Sequence, residues 1–215
     1  MAGPPERENL FIDGPAGRLE AILETPKDEE IAGAAVVCHP HPQHGGTMHN
    51  KVAHQLARAF LQTGFAVLRF NFRGTEASEG EYDEGIGEVD DALAALRWMR
   101  ERTGRDDVWL GGFSFGAGMS IRAAAQTTLP GLVSIAPAVS RFAQGLERQP
   151  DCPWLVLIGD KDELVSIDEV VAWVDSLEPG PELLVMEGAE HFFHGRLVEM
   201  RNHVVEFVLR TEQVR

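Results

Sequence analysis

A serine stands between two closely spaced glycines in the middle of the chain, and this spacing suits nucleophilic chemistry. The short apolar run 108–113 ends in the pattern Gly112-x-Ser114-x-Gly116, and an Ala-rich helical pattern follows at once. Glycines two residues to either side permit a sharp turn from a strand into a helix, because nothing larger than hydrogen has to fit there. The pattern therefore predicts a strand, a turn and a helix, with the Ser114 hydroxyl exposed on the turn.

Two later segments contain the partners that a serine nucleophile needs. Asp160 and Asp162 follow one predicted strand, and His191 and His194 follow the next. A serine hydroxyl becomes an effective nucleophile when a neutral imidazole takes its proton and a carboxylate orients that imidazole. Because sheets of this kind place ligands at the carboxyl ends of their strands, Ser114, one aspartate and one histidine are expected to meet.

Hydrophobic periodicity divides the chain into an opening hairpin followed by alternating strands and helices. The predicted strands are 10–12, 19–23, 34–38, 65–72, 108–113, 132–136, 154–158 and 183–186. The predicted helices lie within 47–63, 89–103, 115–127, 166–177 and 197–208. This alternation predicts an α/β protein with a mostly parallel twisted sheet of about eight strands and helices on both faces. Only a polar loop is expected between Ala136 and Trp154, which leaves no room for a substantial lid.

The bulk composition indicates one acidic domain spanning 1–215. The chain has 215 residues and a net charge of −15, which argues against nucleic acid or an anionic membrane as partner. Cys38 and Cys152 lie in or beside apolar runs, so reduced thiols in a cytoplasmic protein are expected. Residues 1–9 are Pro-rich and polar, which predicts a flexible tail rather than a signal peptide. A monomer or homodimer acting on a small molecule is expected.

The chain resembles the α/β-hydrolases, and in particular the small lidless bacterial serine hydrolases similar to dienelactone hydrolases and acyl-peptidase catalytic domains. The resemblance runs from Leu10 to about Arg210, and five segments carry it: His39-Pro40-His41-Pro42, Asn71-Phe72-Arg73-Gly74, the turn at 112–116, Gly159-x-x-Asp162-x-x-Val165 and 188–193. It implies an α/β-hydrolase fold and a triad of Ser114, Asp162 and His191. Dienelactone hydrolases proper use a cysteine at the turn, so the serine favours an esterase.

The resemblance also implies an oxyanion hole made of two backbone N–H groups. One comes from Phe115 and the other from the loop after the third strand, where the prolines have no N–H to offer. His39, His41 and Gln43 remain as donors in that loop, and the position in the family favours His41.

Three residues are candidates for lining the substrate pocket, and each has a plainer alternative. His39 and Met119 either line the pocket or serve only in packing and structure. Arg73 either binds an anionic substrate or pairs with a local carboxylate such as Glu76 or Asp83. Relatives usually have glycine where this chain has Glu76, which alters the backbone options of that loop.

The expected activity is hydrolysis of a small carboxylic ester through an acyl-enzyme, without metal or organic cofactor. Thioesters and small amides or peptides share the same intermediate and stay open as alternatives. The loop His39-x-His41-x-x-His44 also has spacing that zinc can use, although prolines stiffen it and no carboxylate is interleaved. A non-catalytic, ligand-binding relative is the remaining alternative.

Overall fold

The computed structural model describes residues 4–27, 30–143 and 145–215, and its centre is a sheet of eight strands in the order β1-β2-β4-β3-β5-β6-β7-β8. The strands are β1 Glu6–Gly14, β2 Gly17–Thr25, β3 Gly33–Cys38, β4 Phe65–Phe70, β5 Val108–Phe113, β6 Leu132–Ile135, β7 Trp154–Gly159 and β8 Glu182–Met186. β1 and β2 form an antiparallel hairpin, β2 pairs antiparallel with β4, and all remaining pairs are parallel. The predicted α/β architecture is confirmed.

Helices cover both faces of this sheet, as the sequence predicts. They are α1 Lys51–Gln62, α2 Gly87–Thr103, α3 Phe115–Ala124, α4 Val139–Phe142, α5 Ile167–Asp175 and α6 Leu197–Gln213. The apolar stripes of α1 and α6 share one core with one face of the sheet, and those of α2, α3 and α5 share a second core with the other face. Because β3 to β7 are buried along their whole length, their sequences are nearly continuous apolar runs, interrupted only by the buried Arg69 in β4 and Ser134 in β6.

The N-terminal tail was predicted to be too long. Residues 6–9 belong to β1 and pair with residues 22–25 of β2, because backbone hydrogen bonding along an edge strand needs no apolar side chains. Residues 1–3 of the predicted tail lie outside the described residues.

Several helix bounds also differ from the prediction: α2 begins at Gly87, and α6 runs on to Gln213. Helix α1 begins at Lys51 rather than Thr47, because the Asn50 side chain accepts the N–H groups of Val52 and Ala53 and caps the helix there. The connection after β6 was expected to be a polar loop but contains the single turn α4, which buries Phe142. One turn is too short to form a lid.

Both cysteines are unpaired, and burial raises the pKa of each thiol, to about 12 for Cys152. Within the described part of the chain, no helix has the length and apolarity needed to cross a membrane.

Candidate active site

Ser114 occupies a strained turn between β5 and α3. Its φ is 55° and its ψ is −114°, a conformation that residues other than glycine rarely adopt. The flanking glycines make the turn possible: a Cβ on Gly112 would lie 2.3 Å from the Gly116 carbonyl oxygen, and one on Gly116 would lie 2.3 Å from the His39 carbonyl oxygen. The Ser114 N–H donates to the Ile135 carbonyl at 2.9 Å, which ties the turn to β6.

A chain of hydrogen bonds joins Ser114 to a histidine and an aspartate. The Ser114 Oγ lies 3.2 Å from His191 Nε2, and His191 Nδ1 lies 2.7 Å from Asp162 Oδ2. The other Asp162 oxygen, Oδ1, accepts the N–H groups of Leu164 and Val165 at 2.9 and 2.8 Å. Both the carboxylate and the imidazole are almost completely buried, so the pair is shielded from competing water. With Nδ1–H donated to Asp162, His191 Nε2 is left to accept the serine proton.

The other aspartate and histidine of these two loops lie elsewhere. Asp160 Oδ1 accepts the N–H of Gly188 at 2.6 Å and so connects the loops after β7 and β8. His194 is exposed and pairs with Glu190 at 3.1 Å. The geometry therefore brings together the pair that the resemblance implies, Asp162 and His191.

Neighbouring residues fix the position of the His191 ring. Its backbone N–H donates to Glu163 Oε2 at 3.2 Å, and its ring packs between Phe113 and Phe192 at centroid distances of 4.9 and 5.0 Å. Glu163 and the two phenylalanines carry no sequence signal for this role beyond the fact that each directly adjoins Ser114, Asp162 or His191.

Two backbone N–H groups, one directly after the serine in the chain and one in the loop after β3, have no hydrogen-bond partner among the described residues. One belongs to Phe115, the first residue of α3, where the partial positive charge of the helix N-terminus is concentrated. The other belongs to His41, whose carbonyl is instead occupied by the N–H groups of His44 and Gly46. They are the two donors that the resemblance implies for an oxyanion.

His39 is fully buried, which favours the structural alternative over a role in lining the pocket. Its Nδ1 donates to the Pro40 carbonyl at 2.6 Å, and its Nε2 accepts the N–H of Phe72 at 3.0 Å. Burial lowers the pKa of this ring to about 4, and the ring is therefore neutral at pH 7. It connects the loop after β3 to the loop after β4.

Arg73 and Met119 are also directed into the interior rather than toward a ligand. Arg73 makes a bidentate pair with Asp91 of α2 at 3.0 and 2.8 Å, and Asp83 lies 3.9 Å from its other nitrogen. Hydrogen bonding to Asp91 raises the pKa of the Arg73 guanidinium. Local pairing is therefore the role of this arginine, with Asp91 as the main partner that the sequence analysis missed. Met119 is completely buried in the core.

Tyr82 is a further polar group beside the site that the sequence analysis missed. Its hydroxyl lies 3.2 Å from His41 Nε2, and the His41 ring also packs against His44, Phe115 and Phe142 at 4.4, 4.9 and 6.0 Å. Tyr82 lies in an acidic, irregular connection, where it is the single tyrosine of the chain. A lone aromatic residue in such a polar stretch is the signal that would have singled it out.

The loop histidines do not converge on a common point. Both ring nitrogens of His39 are used by the backbone, and those of His41 contact the Gln43 N–H and the Tyr82 hydroxyl. In the described residues, no group of three or more His, Cys, Asp or Glu side chains is arranged to hold a metal ion.

Sequence comparison connects this arrangement with a known family. The model of the X-Pro dipeptidyl-peptidase (S15 family) matches residues 13–146, more than half of the chain. That stretch includes Ser114 but ends before Asp162 and His191. An uncharacterized protein of Rickettsia prowazekii is 31% identical over 211 residues, which cover 93% of this chain and 88% of the relative.

Two solved structures are similar to this chain over nearly its whole length. An α/β serine hydrolase homologue from Coxiella burnetii is 46% identical, covers 93% of this chain and 96% of its own, and superposes with a TM-score of 0.87. A member of the α/β serine hydrolases without lid from Xanthomonas campestris is 41% identical, covers 98% and 97%, and has a TM-score of 0.90. The fold and the strand-turn-helix around the serine thus define an α/β-hydrolase. Within that superfamily, the chain belongs to the family that the S15 model describes.

Proposed function

We propose that this protein is a serine-dependent acyl hydrolase that cleaves small carboxylic esters through an acyl-enzyme. The observation that carries the proposal is the continuous line of contacts from the buried Asp162 carboxylate through His191 to the Ser114 hydroxyl, at 2.7 and 3.2 Å. Such a line is the arrangement that converts a weakly nucleophilic hydroxyl into an effective one.

The first half of the reaction acylates the serine. His191 Nε2 takes the hydroxyl proton while Ser114 Oγ bonds to the ester carbonyl carbon, and the negative charge moves to the carbonyl oxygen. The N–H groups of Phe115 and His41 stabilise that oxyanion, since neither donates to another described residue. The C–O bond of the ester then breaks, and His191 gives its proton to the departing alcohol. Asp162 stabilises the imidazolium that exists between these two transfers.

The second half releases the acid. Water gives a proton to His191 Nε2 and attacks the acyl carbon, and the same two N–H groups hold the second oxyanion. Collapse of this intermediate breaks the bond between the acyl carbon and Ser114 Oγ, which recovers its proton from His191. No residue changes its net protonation over the cycle.

A small ester suits the open site better than a long lipid. The connection where a lid would be inserted contains only the single turn α4, so nothing in the described residues covers a long acyl chain. An amide is a second candidate, favoured by the match to an X-Pro dipeptidyl-peptidase model, because an amide passes through the same acyl-enzyme.

Labelling with a fluorophosphonate tests the nucleophile. The wild type, Ser114→Ala and His191→Ala are incubated with the reagent and weighed by intact-mass spectrometry. Ser140→Ala is the matched control, since Ser140 is exposed on α4. We expect one adduct on the wild type and on Ser140→Ala, none on Ser114→Ala, and labelling slowed at least about 100-fold in His191→Ala. A folded wild type without an adduct would contradict the proposal.

The bond that is cleaved is tested in parallel. We expect p-nitrophenyl acetate and butyrate to be hydrolysed by the wild type and not by Ser114→Ala. A glycyl-prolyl p-nitroanilide provides the amide arm of the test. Turnover of the anilide with a kcat/KM above that of the esters would replace the esterase assignment with the peptidase one.

A further inference from the structure

Tyr82 lies beside the proposed reaction centre although it belongs to a distant part of the chain. It sits between β4 and α2, where its ring centroid is 5.2 Å from that of His41 and 6.1 Å from that of Phe115. His41 and Phe115 are the residues whose backbone N–H groups are proposed to hold the oxyanion. A group that contacts both of their rings therefore borders the space next to the reacting carbonyl.

Buried carboxylates of α2 hold the loop that presents Tyr82. Glu88 has no exposed surface, and its two oxygens accept the N–H groups of Asp83 and Gly85, each at 2.8 Å. Asp91, also fully buried, holds Arg73 at the start of the same loop. Burying carboxylates is unfavourable unless they are fully hydrogen-bonded, so this loop has one strongly specified position. The Tyr82 phenol is accordingly placed before any ligand arrives.

The two hydrogen bonds of the His41 ring leave the hydroxyl proton of Tyr82 free to be donated to a ligand. The Gln43 N–H points at His41 Nδ1 at 3.3 Å, so a neutral His41 carries its proton on Nε2 and donates it to the Tyr82 oxygen. Burial and the nearby His44 and Arg141 lower the pKa of His41 to about 4, which keeps the ring neutral at pH 7. The Tyr82 O–H then has no acceptor among the described residues, and its proton is free for a ligand.

The surroundings of this hydroxyl are aromatic. Phe115 and Phe142 are buried and meet edge to face at 4.9 Å and 84°, and they lie beneath the half-exposed rings of His41 and Tyr82. The exposed His44 ring stacks on His41 at 4.4 Å and 19°. These five residues are called the aromatic cluster below. Faces and edges of rings at such distances favour a further flat ring over an alkyl chain of similar area.

We propose that the aromatic cluster is a substrate-recognition subsite for a planar aromatic group that carries a hydrogen-bond acceptor, with the Tyr82 hydroxyl as the donor. This inference rests on the proposed function, since it describes what the ester presents beside Ser114. The ring of the substrate packs on the cluster, and an acceptor atom on its edge takes the unused proton of Tyr82.

A pair of substrates distinguishes a Tyr82 that binds the substrate from a Tyr82 that only holds His41 in position. The p-nitrophenyl esters of 3-phenylpropanoic acid and 3-(4-pyridyl)propanoic acid differ by one acceptor atom. They are compared in mildly alkaline buffer, in which the pyridine nitrogen is unprotonated. Burial raises the pKa of Tyr82, so the phenol keeps its proton under these conditions. The measured quantity is the ratio of kcat/KM for the pyridyl ester to that for the phenyl ester.

We expect Tyr82→Phe to lower this ratio about tenfold, because the substitution removes one hydrogen bond and keeps the ring. Phe11→Leu, an exposed aromatic on β1, is the control and leaves the ratio unchanged. A ratio that is unchanged in Tyr82→Phe would overturn the inference, whether the two kcat/KM values stay constant or fall equally. Tyr82 would then only hold His41 in position. If the wild type forms no fluorophosphonate adduct and cleaves neither ester, the proposed function has failed instead.

A binding measurement that needs no turnover provides a second test. Because Tyr82 is the single tyrosine, its ultraviolet titration in Ser114→Ala reports on one phenol alone. We expect 3-(4-pyridyl)propanoate to move the midpoint upward, since an acceptor stabilises the protonated phenol, and 3-phenylpropanoate to move it less. Equal shifts with both acids would contradict a hydrogen bond to Tyr82.

Discussion

The two oxygens of the Asp162 carboxylate have separate tasks. One contacts the His191 ring, and the other accepts two backbone N–H groups of the turn that follows it. The carboxylate that orients the histidine is thus itself oriented by the loop after β7. Asp162 therefore sets both the orientation of the His191 ring and the conformation of the loop after β7.

Asp162→Asn separates the electrostatic task from the structural one. The amide oxygen can still accept from Leu164 and Val165, while the amide N–H faces His191 Nδ1 and forces the imidazole proton onto Nε2. That tautomer cannot take the Ser114 proton, so we expect kcat/KM for an acetate ester to fall by about 10³- to 10⁴-fold with little change in melting temperature. Asp160→Asn, the same change two residues earlier, is expected to stay near wild type. Similar losses in both variants would contradict the assignment.

His39 makes the stability of the protein dependent on pH. The folded state lowers the pKa of this ring from its ordinary 6.5 to about 4, so the unfolded chain binds the extra proton first as the pH falls. Stability is therefore complete above pH 6.5 and is lost between 6.5 and about 4, by about 3 kcal/mol in total. We expect His39→Gln to be less stable than the wild type at neutral pH but to lack this part of the acid slope in urea unfolding. A variant with the wild-type slope would contradict the role assigned to His39.

At the scale of elements, the connection between β4 and α2 contains left-handed backbone conformations at residues other than glycine, which the sequence does not predict. Glu76 has a φ of 51°, in the left-handed region that glycine adopts more readily than any other residue. Glu81, in the same connection, is not among the residues with positive φ. Two exposed glutamates of one loop therefore differ in backbone strain.

Glu76→Gly and Glu81→Gly form a matched pair that measures this strain. A non-glycine residue in the left-handed region costs about 1–2 kcal/mol, and glycine costs about 0.4–1 kcal/mol through the greater freedom of the unfolded chain. We expect Glu76→Gly to raise the free energy of unfolding by about 0.5–1 kcal/mol and Glu81→Gly to lower it by a similar amount. Chemical denaturation measures both, and equal destabilisation by the two variants would show that Glu76 is unstrained.

The limits of prediction from sequence also follow at this scale. The strand 108–113 and the start of α3 at Phe115 were predicted at their observed positions, because the apolar run and the glycines act locally. Tyr82 could not be placed in the same way. The position of Tyr82 depends on hydrogen bonds from the loop to Glu88 of α2 and on a contact with His41 of the loop after β3. Neither contact produces a periodic pattern in the sequence.

The whole molecule brings five loops to one end of the sheet and carries a large net negative charge. The loops after β3, β4, β5, β7 and β8 supply the residues of the site, as expected for parallel strands with aligned carboxyl ends. The net charge of −15 is a property of composition that the sequence alone defines. Its field acts on any charged substrate before the site makes contact.

This field predicts how salt affects two related substrates. A p-nitrophenyl succinate hemiester carries a negative charge, and its methyl ester does not. The net charge of −15 repels the hemiester at low ionic strength. We expect its kcat/KM to rise about three- to tenfold between about 0.01 and about 0.15 M salt, while that of the neutral diester stays constant.

A fall in kcat/KM with salt would show that a local cation outweighs the global charge. Arg141 is the candidate, since it is exposed and lies over the Phe142 ring at 5.3 Å, beside the aromatic cluster. Arg141→Gln would then convert the falling salt dependence into a rising one. If the wild type behaves as expected, Arg141→Gln leaves the direction unchanged, because the repulsion arises from the surface as a whole.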